Sequence, residues 1–280
     1  MLIKMQVGEQ DRGELQVNVT DSDNAPIRDA RVTISEPETA INPNSPIERL
    51  ETDVSGQTQI VDLNTPPLEY SLNENNENMP YANYNIQIEA PGYETENISN
   101  VEILPDSLSL QDVRMRRREG EQVENIDIDP HTLYAEYPEK IPEDEIKDVN
   151  EPGEIVLSRV VIPEYVVVHN GTPSSNARDY YVTYKDYIKN VASSEIYATW
   201  PRATIEANVL AIMSFTLNRV YTEWYRNKGY DFTITSSTAY DQKWIYGRNI
   251  FQSIDEVVDE IFNQYLSRPD VRQPILTQYC

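Results

Sequence analysis

Cysteine and histidine are scarce in this 280-residue chain, which has one cysteine, Cys280, and two histidines, His131 and His169. A single cysteine excludes a disulfide within the chain and a cysteine-rich structural zinc site. The sequence also lacks an HExxH motif, a phosphate-binding glycine loop and a dinucleotide fingerprint. We therefore expect no cofactor, and we expect no metal site unless the chain continues beyond Cys280. His169 ends a strand-like run, where a histidine typically satisfies local hydrogen bonds.

Basic residues and long apolar runs are also scarce. The chain has 23 Lys and Arg against 47 Asp and Glu, which gives a net charge of −24. Phosphate binding needs a basic stripe, so nucleic acid is not expected as a partner. No apolar run approaches the roughly 18 residues of a membrane span. The opening MLIKMQVGEQ lacks the apolar core of a secretory signal, so we expect a soluble protein without a standard signal peptide.

The acidic charge is concentrated in the first part of the chain. Residues 1–150 hold 32 acidic and 11 basic residues, whereas residues 151–280 hold 15 and 12. This asymmetry indicates two units with different roles. We predict a β-sandwich over 1–116, an acidic linker or strap over 117–153, and a second domain over 154–280.

Short alternating segments separated by turn sequences fill the first 116 residues, and they predict a small antiparallel sandwich. They are GELQVNV (13–19), ARVTI (30–34), TQIVDL (58–63), YNIQIEA (84–90), NVEIL (100–104) and LQDVRM (110–115). The phrases APIRDARVTI, TDVSGQTQIVDL and YNIQIEAPGYE resemble the carboxypeptidase-regulatory-like or transthyretin-like sandwich. That resemblance implies a module that binds or braces and does not catalyse.

The remaining chain changes character twice. Residues 117–153 are rich in Glu, Asp and Pro, which is typical of an exposed linker that proteases cut. Helical spacing then predicts helices over 183–195, 203–229 and 253–268, the last with Ser253 as N-cap. The helix over 203–229 is apolar almost all round as far as Phe215, which predicts a buried helix at the centre of an α+β domain. The fold class of the whole chain is therefore predicted to be α+β.

Two groups of residues are candidates for chemistry. Glu195 ends a predicted helix, just before Tyr197 and Trp200; it is either a charge on a solvated surface or an acid whose pKa is raised by apolar surroundings. The loop TSSTAYDQKWIYG mixes hydroxyls, an amide and aromatic rings, as sugar-binding sites do. It also fits an ordinary strand with aromatic core residues.

The order of these motifs resembles the SpoIID/LytB family, and more closely the clostridial spore cortex-lytic enzymes of the SleC type. The matching parts are YKDYIKNVASSE (184–195), the proline-led helix from Pro201 and the loop STAYDQKWIYG (237–247). The resemblance implies a peptidoglycan lytic transglycosylase with Glu195 as its general acid and base. It implies substrate binding by the loop and by the aromatic residues after Glu195. These candidates are Gln242, Tyr240, Ser237, Thr238, Tyr246, Gly247, Tyr197 and Trp200.

The resemblance further implies a spore or cell-wall location and cortex glycan strands as the substrate during germination. The acidic front half would then be a pro-region, and its sandwich and strap would be removed when a protease cuts within 117–153. The chain departs from the family in two places. It has Ala203, Thr204 and Ile205 where many members have Glu-Ala-Leu, and it ends at Cys280 where relatives continue, so the catalytic domain is expected to be incomplete.

These departures keep two other hypotheses open. The chain is alternatively a non-catalytic wall or coat protein whose degenerate SpoIID-like module binds glycan without cutting it. A third hypothesis is a purely structural protein of an exported assembly, with the second domain as a partner-binding unit.

Overall fold

A computed structural model describes residues 10–37, 46–120, 123–141, 158–270 and 272–277. The fold is α+β with sandwich-like sheets, in agreement with the predicted class. The chain forms two compact units. The first comprises residues 1–129, 197–200 and 247–252, and the second comprises 130–196, 201–246 and 253–280. The observed units are thus interleaved along the chain, whereas the sequence predicted contiguous domains.

Two sheets build the first unit. One contains β1 (Asp11–Asp21), β4 (Val61–Thr65), β7 (Leu108–Met115) and β12 (Ile250–Phe251), in the order β12-β7-β1-β4. The other contains β2 (Arg31–Ser35), β3 (Pro46–Glu51), β5 (Ala82–Glu89), β6 (Thr95–Ile103) and β8 (Val123–Asp127), in the order β3-β2-β5-β6-β8. The predicted antiparallel arrangement is corrected here, because β1 and β7 pair in parallel, as do β6 and β8. A short helix, α1 (Glu69–Leu72), follows β4.

Alternation of apolar and polar residues explains these strands. In β1, Leu15, Val17 and Val19 are fully buried, while the intervening residues are less so. Such a period of two places one set of side chains in the core and the other towards solvent. Glycine at position 13 is required by a close approach, since a Cβ there would lie 2.2 Å from the carbonyl oxygen of Leu104.

Every one of the six predicted strand segments overlaps a strand of the structure, but three strands of the first unit, β3, β8 and β12, were missed. One of them, β8, lies within the predicted linker and pairs with β6 from Thr95↔Val123 to Ser99↔Asp127. Its sequence, VENID, carries two acidic residues and little apolar character, so the local pattern does not distinguish it from a linker.

Glu96 is a carboxyl on the core side of the first unit. It is 1% exposed, and it pairs in register with Glu124 of β8. Burial, reinforced by the neighbouring Glu124 carboxylate, raises the pKa of Glu96 to about 7, against the opposing effect of Arg116. The folded state therefore keeps a proton that the unfolded chain releases at lower pH.

This shift predicts a pH-dependent stability of the first unit. As pH rises from the ordinary glutamate pKa near 4.5 through about 7, the free energy of unfolding should fall. We expect Glu96→Gln to remove this loss, so that the variant exceeds the parent by on the order of 2–3 kcal/mol at pH 8 and matches it at pH 4.5. Urea unfolding at several pH values measures the effect. Glu14→Gln, at an exposed position of β1, is the control, and equal pH profiles of parent and Glu96→Gln would contradict the prediction.

The second unit combines a small sheet with three helices. The sheet has the order β10-β9-β11 and contains β9 (Tyr165–His169), β10 (Asp179–Thr183) and β11 (Ile234–Thr235). The helices are α2 (Tyr184–Glu195), α3 (Arg202–Tyr221) and α4 (Gln252–Ile261), of which α4 has its first residue in the first unit. A 3₁₀ turn spans Arg226–Lys228.

The predicted helix boundaries need two corrections. The helix predicted over 203–229 ends at Tyr221, because Glu223 adopts a positive φ of 48° that an α-helix cannot contain. Gly229, with φ of 86°, ends the 3₁₀ turn that follows. The last helix begins at Gln252, so Ser253 lies inside it and is not its N-cap, and the helix ends at Ile261.

Helix α3 is buried mainly in its second half. Every residue from Ile212 to Arg219 is buried, whereas Arg202, Ala203 and Thr204 are exposed. The burial predicted as far as Phe215 is therefore corrected, since the continuously buried stretch begins only at Ile212 and extends past Phe215. Within the described part of the chain, no helix combines the length and the apolar character that crossing a membrane requires.

Candidate functional site

Glu195 is the last residue of α2, and the local sequence determines where that helix begins and ends. Strand β10 leads directly into the helix through Thr183, whose side chain accepts a hydrogen bond from the backbone N–H of Asp186. Such a cap satisfies a donor at the first turn of a helix. At the other end, Ile196 adopts an extended conformation, so the helix stops at Glu195. The carboxyl group is therefore carried on a rigid, well-defined helix end.

The side chain of Glu195 is half-buried and is held against a neighbouring loop. Its Oε1 accepts a hydrogen bond of 2.7 Å from the backbone N–H of Lys243. Residues 237–246 of the same loop, here called the site loop, are also fixed to α2 by Asn190. That amide donates to the carbonyl of Ile245 at 2.8 Å and accepts from its N–H at 2.9 Å. Glu195 is thus positioned by the site loop and does not extend freely into solvent.

Gln242 lies inside the core beneath the site loop, with 1% of its surface exposed. Its Oε1 accepts hydrogen bonds from the Tyr187 hydroxyl at 3.2 Å and the Thr216 hydroxyl at 2.8 Å. Its Nε2 donates to the carbonyl of Ile212 at 3.1 Å. These contacts join the loop to α2 and α3. The geometry favours a bracing role for Gln242, and the sugar contact predicted from the sequence stays a prediction.

A buried ion pair that the sequence did not reveal anchors the same loop. The carboxylate of Asp241 accepts a hydrogen bond of 2.8 Å from Nε of Arg219, and both side chains are at most 1% exposed. Its other oxygen accepts from the Tyr225 hydroxyl at 2.5 Å and from the N–H and hydroxyl of Thr235 at 2.9 and 2.7 Å. The sequence signal is an arginine, Arg219, near the C-terminal end of the largely apolar helix α3.

The pKa values of two buried tyrosines, Tyr187 and Tyr225, are raised by their surroundings. Burial raises the pKa of the Tyr187 phenol well above its usual range, and the carboxylates of Asp241 and Glu195 raise it further. Burial, followed by the carboxylate of Asp241, also raises the pKa of Tyr225. Both phenols therefore remain protonated donors at neutral pH, so the braces of the site loop do not titrate there.

Three aromatic rings form a cluster at the end of the site loop. The ring of Tyr180 in β10 lies 5.2 Å from Trp244 and 4.8 Å from Tyr246, centroid to centroid. Trp244 is buried, whereas Tyr180 and Tyr246 are half-buried. We call these three residues the aromatic cluster. Tyr246 was predicted from the sequence, but Tyr180 was missed because it lies 66 positions earlier in the chain.

Ser237, Thr238 and Tyr240 lie at the beginning of the site loop and are half-buried. The carbonyl of Ser237 accepts hydrogen bonds from the N–H groups of Tyr240 at 3.1 Å and Asp241 at 2.8 Å. These residues therefore form the turn that sends Asp241 into the core.

The remaining predicted site residues, Tyr197, Trp200 and Gly247, belong to the first unit. The rings of Tyr197 and Trp200 meet edge to face at 5.9 Å, and the indole N–H of Trp200 donates to the carbonyl of Ser71 at 3.0 Å. Gly247 has φ of 77°, and a Cβ there would lie 2.5 Å from the side chain of Ile126. The contacts seen for Trp200 and Gly247 are structural, and no pattern in the sequence predicted them.

Part of the predicted linker belongs to the second unit. Of the strap predicted over 117–153, only residues 130–141 are described in the second unit, and the name strap is used for these residues from here on. They include His131, which is fully buried, whereas the sequence placed it in an exposed linker. The N–H and hydroxyl of Thr132 both donate to the carbonyl of Ser194, at 3.1 and 3.0 Å. Ser194 immediately precedes Glu195, so one end of the strap is fixed beside the candidate acid.

The other end of the strap contacts the site loop. The N–H of Ile141 donates to the carbonyl of Ala239 at 2.7 Å, and Nζ of Lys140 donates to the carbonyl of Asp241 at 3.3 Å. Between the two ends, the Lys243 ammonium lies 4.5 Å from the ring centroid of Tyr137. The strap thus spans from α2 to the site loop. Residues 142–153 of the predicted linker lie outside the described residues.

His169 has the local role predicted for a histidine at the end of a strand. Its Nδ1 lies 2.7 Å from Oδ1 of Asp179, and its Nε2 lies 3.2 Å from the hydroxyl of Ser175. That hydroxyl donates to the carbonyl of Thr172 at 2.7 Å. The serine proton is therefore directed away from the imidazole, which argues against a serine nucleophile at this hairpin.

Metal chemistry has no obvious site in the described ranges, which hold no group of three or more His, Cys, Asp or Glu residues suited to an ion. Cys280, the one residue proposed as a conditional ligand, lies outside them.

Comparisons with known proteins give no family. No protein-family model matches the chain, and no curated protein matches it. Among solved structures, it is similar to a catechol 1,2-dioxygenase of Acinetobacter radioresistens, with TM-score 0.28, 13% identity, and coverage of 42% of this chain and 58% of that one. It is also similar to GBS52, a minor pilin of Streptococcus agalactiae, with TM-score 0.28, 17% identity, and coverage of 41% and 48%. The chain spans less than two thirds of either protein, and likeness at these scores carries no functional argument.

Proposed function

We propose that the chain is a peptidoglycan lytic transglycosylase with Glu195 as its general acid and base. The observation that carries this proposal is the setting of one carboxyl group: it is half-buried, ends a rigid helix, and is held by a backbone N–H of the site loop. A catalytic group needs such positioning by packed neighbours. The resemblance of the Ser-Glu block and the site loop to SpoIID/LytB proteins supplies the reaction class.

A single carboxyl suffices for this reaction. In the proposed first step, protonated Glu195 gives its proton to the oxygen between the N-acetylmuramic acid and N-acetylglucosamine units as the C–O bond breaks. The resulting carboxylate then takes the proton of the muramyl 6-hydroxyl, whose oxygen bonds to the anomeric carbon and closes an anhydro ring. The acid is regenerated, and neither water nor a second carboxylate is consumed, unlike in hydrolases with two carboxylates.

The aromatic cluster supports a sugar substrate. Aromatic faces cover the C–H surfaces of sugar rings, and the half-buried rings of Tyr180 and Tyr246 keep part of their surface exposed. The loop that carries Tyr246 also bonds to Glu195 through Lys243. We therefore place glycan binding on the cluster, next to the site loop.

The strap supports a proenzyme. It is bonded both to Ser194, beside the candidate acid, and to Ala239 in the site loop. We propose that it restrains the site loop until a protease cuts within 117–153. In this proposal the substrate is spore cortex and the protein acts during germination, at the cortex or cell wall. Equal turnover by the intact and the cut chain would remove the proenzyme hypothesis.

The reaction is tested by incubating the intact and the cut chain with purified spore cortex and analysing the soluble products by mass spectrometry. Anhydro-muropeptides are the expected product. Reducing-end muropeptides would indicate a hydrolase, and the absence of soluble fragments would contradict an enzymatic role.

A non-catalytic glycan-binding function is the second candidate, and Ala203 favours it. This residue is exposed in the first turn of α3, at a position where many SpoIID/LytB proteins carry a carboxylate. A protein that sediments with cortex but releases no fragments would have this function. A protein that does neither would fit the purely structural hypothesis.

Tyr180→Ala is expected to weaken substrate binding. Loss of one stacking face should raise KM about 2- to 10-fold, because a stacking contact with an aromatic ring is worth roughly 0.5–1.5 kcal/mol, while kcat changes little. Turnover at increasing cortex concentration separates the two parameters. Tyr181→Ala is the matched control, since the neighbouring Tyr181 in β10 is 75% exposed. Equal KM values for both variants would argue against binding at the cluster.

A further inference from the structure

We infer that cutting the chain between residues 141 and 158 does not release its acidic front half. Both compact units contain segments from each side of that cut. The first unit includes residues 197–200 and 247–252, and the second includes the strap, residues 130–141. The two pieces are thus expected to remain a noncovalent complex, whether or not the chain cleaves glycan.

We call the part of the chain before the cut the front piece and the part after it the downstream piece. A β-strand of the downstream piece completes a sheet of the first unit. Strand β12 pairs antiparallel with the edge of β7, with Ile250 opposite Leu110 and Phe251 opposite Ser109. Phe251 is fully buried. Addition of a strand to an open edge supplies backbone hydrogen bonds and a pocketed side chain, which is a common way to bind a peptide segment.

A buried ion pair stands beside that strand. Arg248 donates to Glu102 of β6 at 2.7 Å, and their side chains are 0% and 1% exposed. The amide of Asn249 donates to the carbonyl of Glu102 at 2.8 Å and accepts from its N–H at 3.2 Å. Removal of the downstream segment would leave the Glu102 carboxylate without this cation in the core, which is strongly unfavourable.

The second downstream segment adds two further hydrogen bonds within the first unit. The Thr199 hydroxyl donates to the Ser71 hydroxyl at 2.8 Å, and the indole of Trp200 donates to the Ser71 carbonyl at 3.0 Å. Two separate stretches of the downstream piece are therefore bound by the first unit.

The strap provides the reciprocal contact in the second unit. Its His131 is fully buried, and its ends are bonded to Ser194 and Ala239 as described above. Before the two pieces can separate, the strap has to leave the second unit and β12 has to leave the first unit. In the proenzyme proposal, on which this step rests, cleavage then acts by giving the strap a free end after Ile141 and not by removing the sandwich.

The test is a full-length chain with a specific protease site inserted within 142–153. After cleavage has gone to completion on a denaturing gel, native mass spectrometry and size-exclusion chromatography at 0.5 M NaCl should show one species that contains both pieces. Separate elution of the two pieces under native conditions would overturn the inference.

Arg248→Ala in the cut chain tests the proposed anchor. Removing the Arg248 cation from the buried Glu102 carboxylate should weaken the association of the pieces about 10²- to 10³-fold, measured as the dissociation constant on dilution. The double variant Arg248→Met with Glu102→Gln, which removes both charges, should recover most of this loss. Arg28→Ala is the control, because its pair with Asp29 is exposed. Equal dissociation constants for the cut Arg248→Ala and Arg28→Ala chains would show that the Arg248–Glu102 pair does not hold the pieces together.

Discussion

Replacing Glu195 with glutamine is expected to lower the release of anhydro-muropeptides from spore cortex by about 10²- to 10⁴-fold, the usual contribution of a general acid or base. Glutamine has nearly the same shape as glutamate but carries no proton to give to the glycosidic oxygen. The measurement is the initial rate of product formation by mass spectrometry, using chains cut within 142–153.

The fold of this variant should be unchanged. The side-chain oxygen of glutamine can still accept the hydrogen bond from the N–H of Lys243, which holds Glu195 to the site loop at 2.7 Å. The thermal midpoint should therefore remain within about 2 °C of the parent, as for most substitutions away from the core. Glu206→Gln is the matched control, because that glutamate pairs with Arg202 on the exposed side of α3. Full activity of Glu195→Gln would eliminate this residue as the catalytic acid.

Asp241→Asn is expected to cause the largest loss of stability. The substitution takes the Asp241 carboxylate away from the buried Arg219 cation, which typically costs about 3–5 kcal/mol. For a unit of this size the loss corresponds to a decrease of roughly 6–20 °C in the thermal midpoint. Differential scanning calorimetry measures it directly. The site loop should loosen as well, since the same carboxylate accepts hydrogen bonds from Tyr225 and Thr235.

Two variants make this prediction specific to the buried charge. Glu260→Gln removes an ion pair with Arg202 whose side chains are about half exposed, and it should change stability by less than about 1 kcal/mol. Adding Arg219→Met to Asp241→Asn removes the stranded charge and should recover part of the loss. A thermal midpoint of Asp241→Asn equal to that of Glu260→Gln would show that the pair contributes little.

Substrate binding, activation and the chemical step can be measured separately. Tyr180→Ala changes KM, and Glu195→Gln changes the rate of product formation. Comparison of the cut chain with the intact chain measures the restraint that the strap imposes. A chain that stays assembled after cleavage but gains no activity would still have interleaved pieces, although it would not be a proenzyme. A cut chain that gains activity while its pieces separate would contradict only the inferred assembly.

Local patterns in the sequence predicted most of the secondary structure. The alternation in GELQVNV and the spacing of Tyr184, Tyr187 and Val191 depend only on neighbours along the chain, so β1 and α2 were found with nearly the correct bounds. The end of α3 at Tyr221 was not predicted, because the backbone leaves the helix through a positive φ at Glu223 that no residue type there demands.

The candidate acid was found from the sequence, but its surroundings were not. Glu195 stands out in the sequence because it ends a predicted helix just before two aromatic residues, and because the Ser-Glu block resembles that of SpoIID/LytB proteins. The side chains of Tyr180, Arg219 and Asp241 carry no local sign of a shared site, since they are brought close only when β10, α3 and the site loop pack together. Gln242 was recognised as part of the loop, whereas its burial under that loop required the structure.

The sequence by itself determined the α+β class, the acidic character of the front half and most individual elements, because periodicity, capping and charge act over a few residues. Only the tertiary structure decided that β12 joins a sheet of the first unit and that the strap belongs to the second. A sheet edge accepts whichever strand the rest of the fold brings to it, since backbone hydrogen bonds are the same for every sequence. That choice depends on contacts more than a hundred residues apart, which no local pattern records.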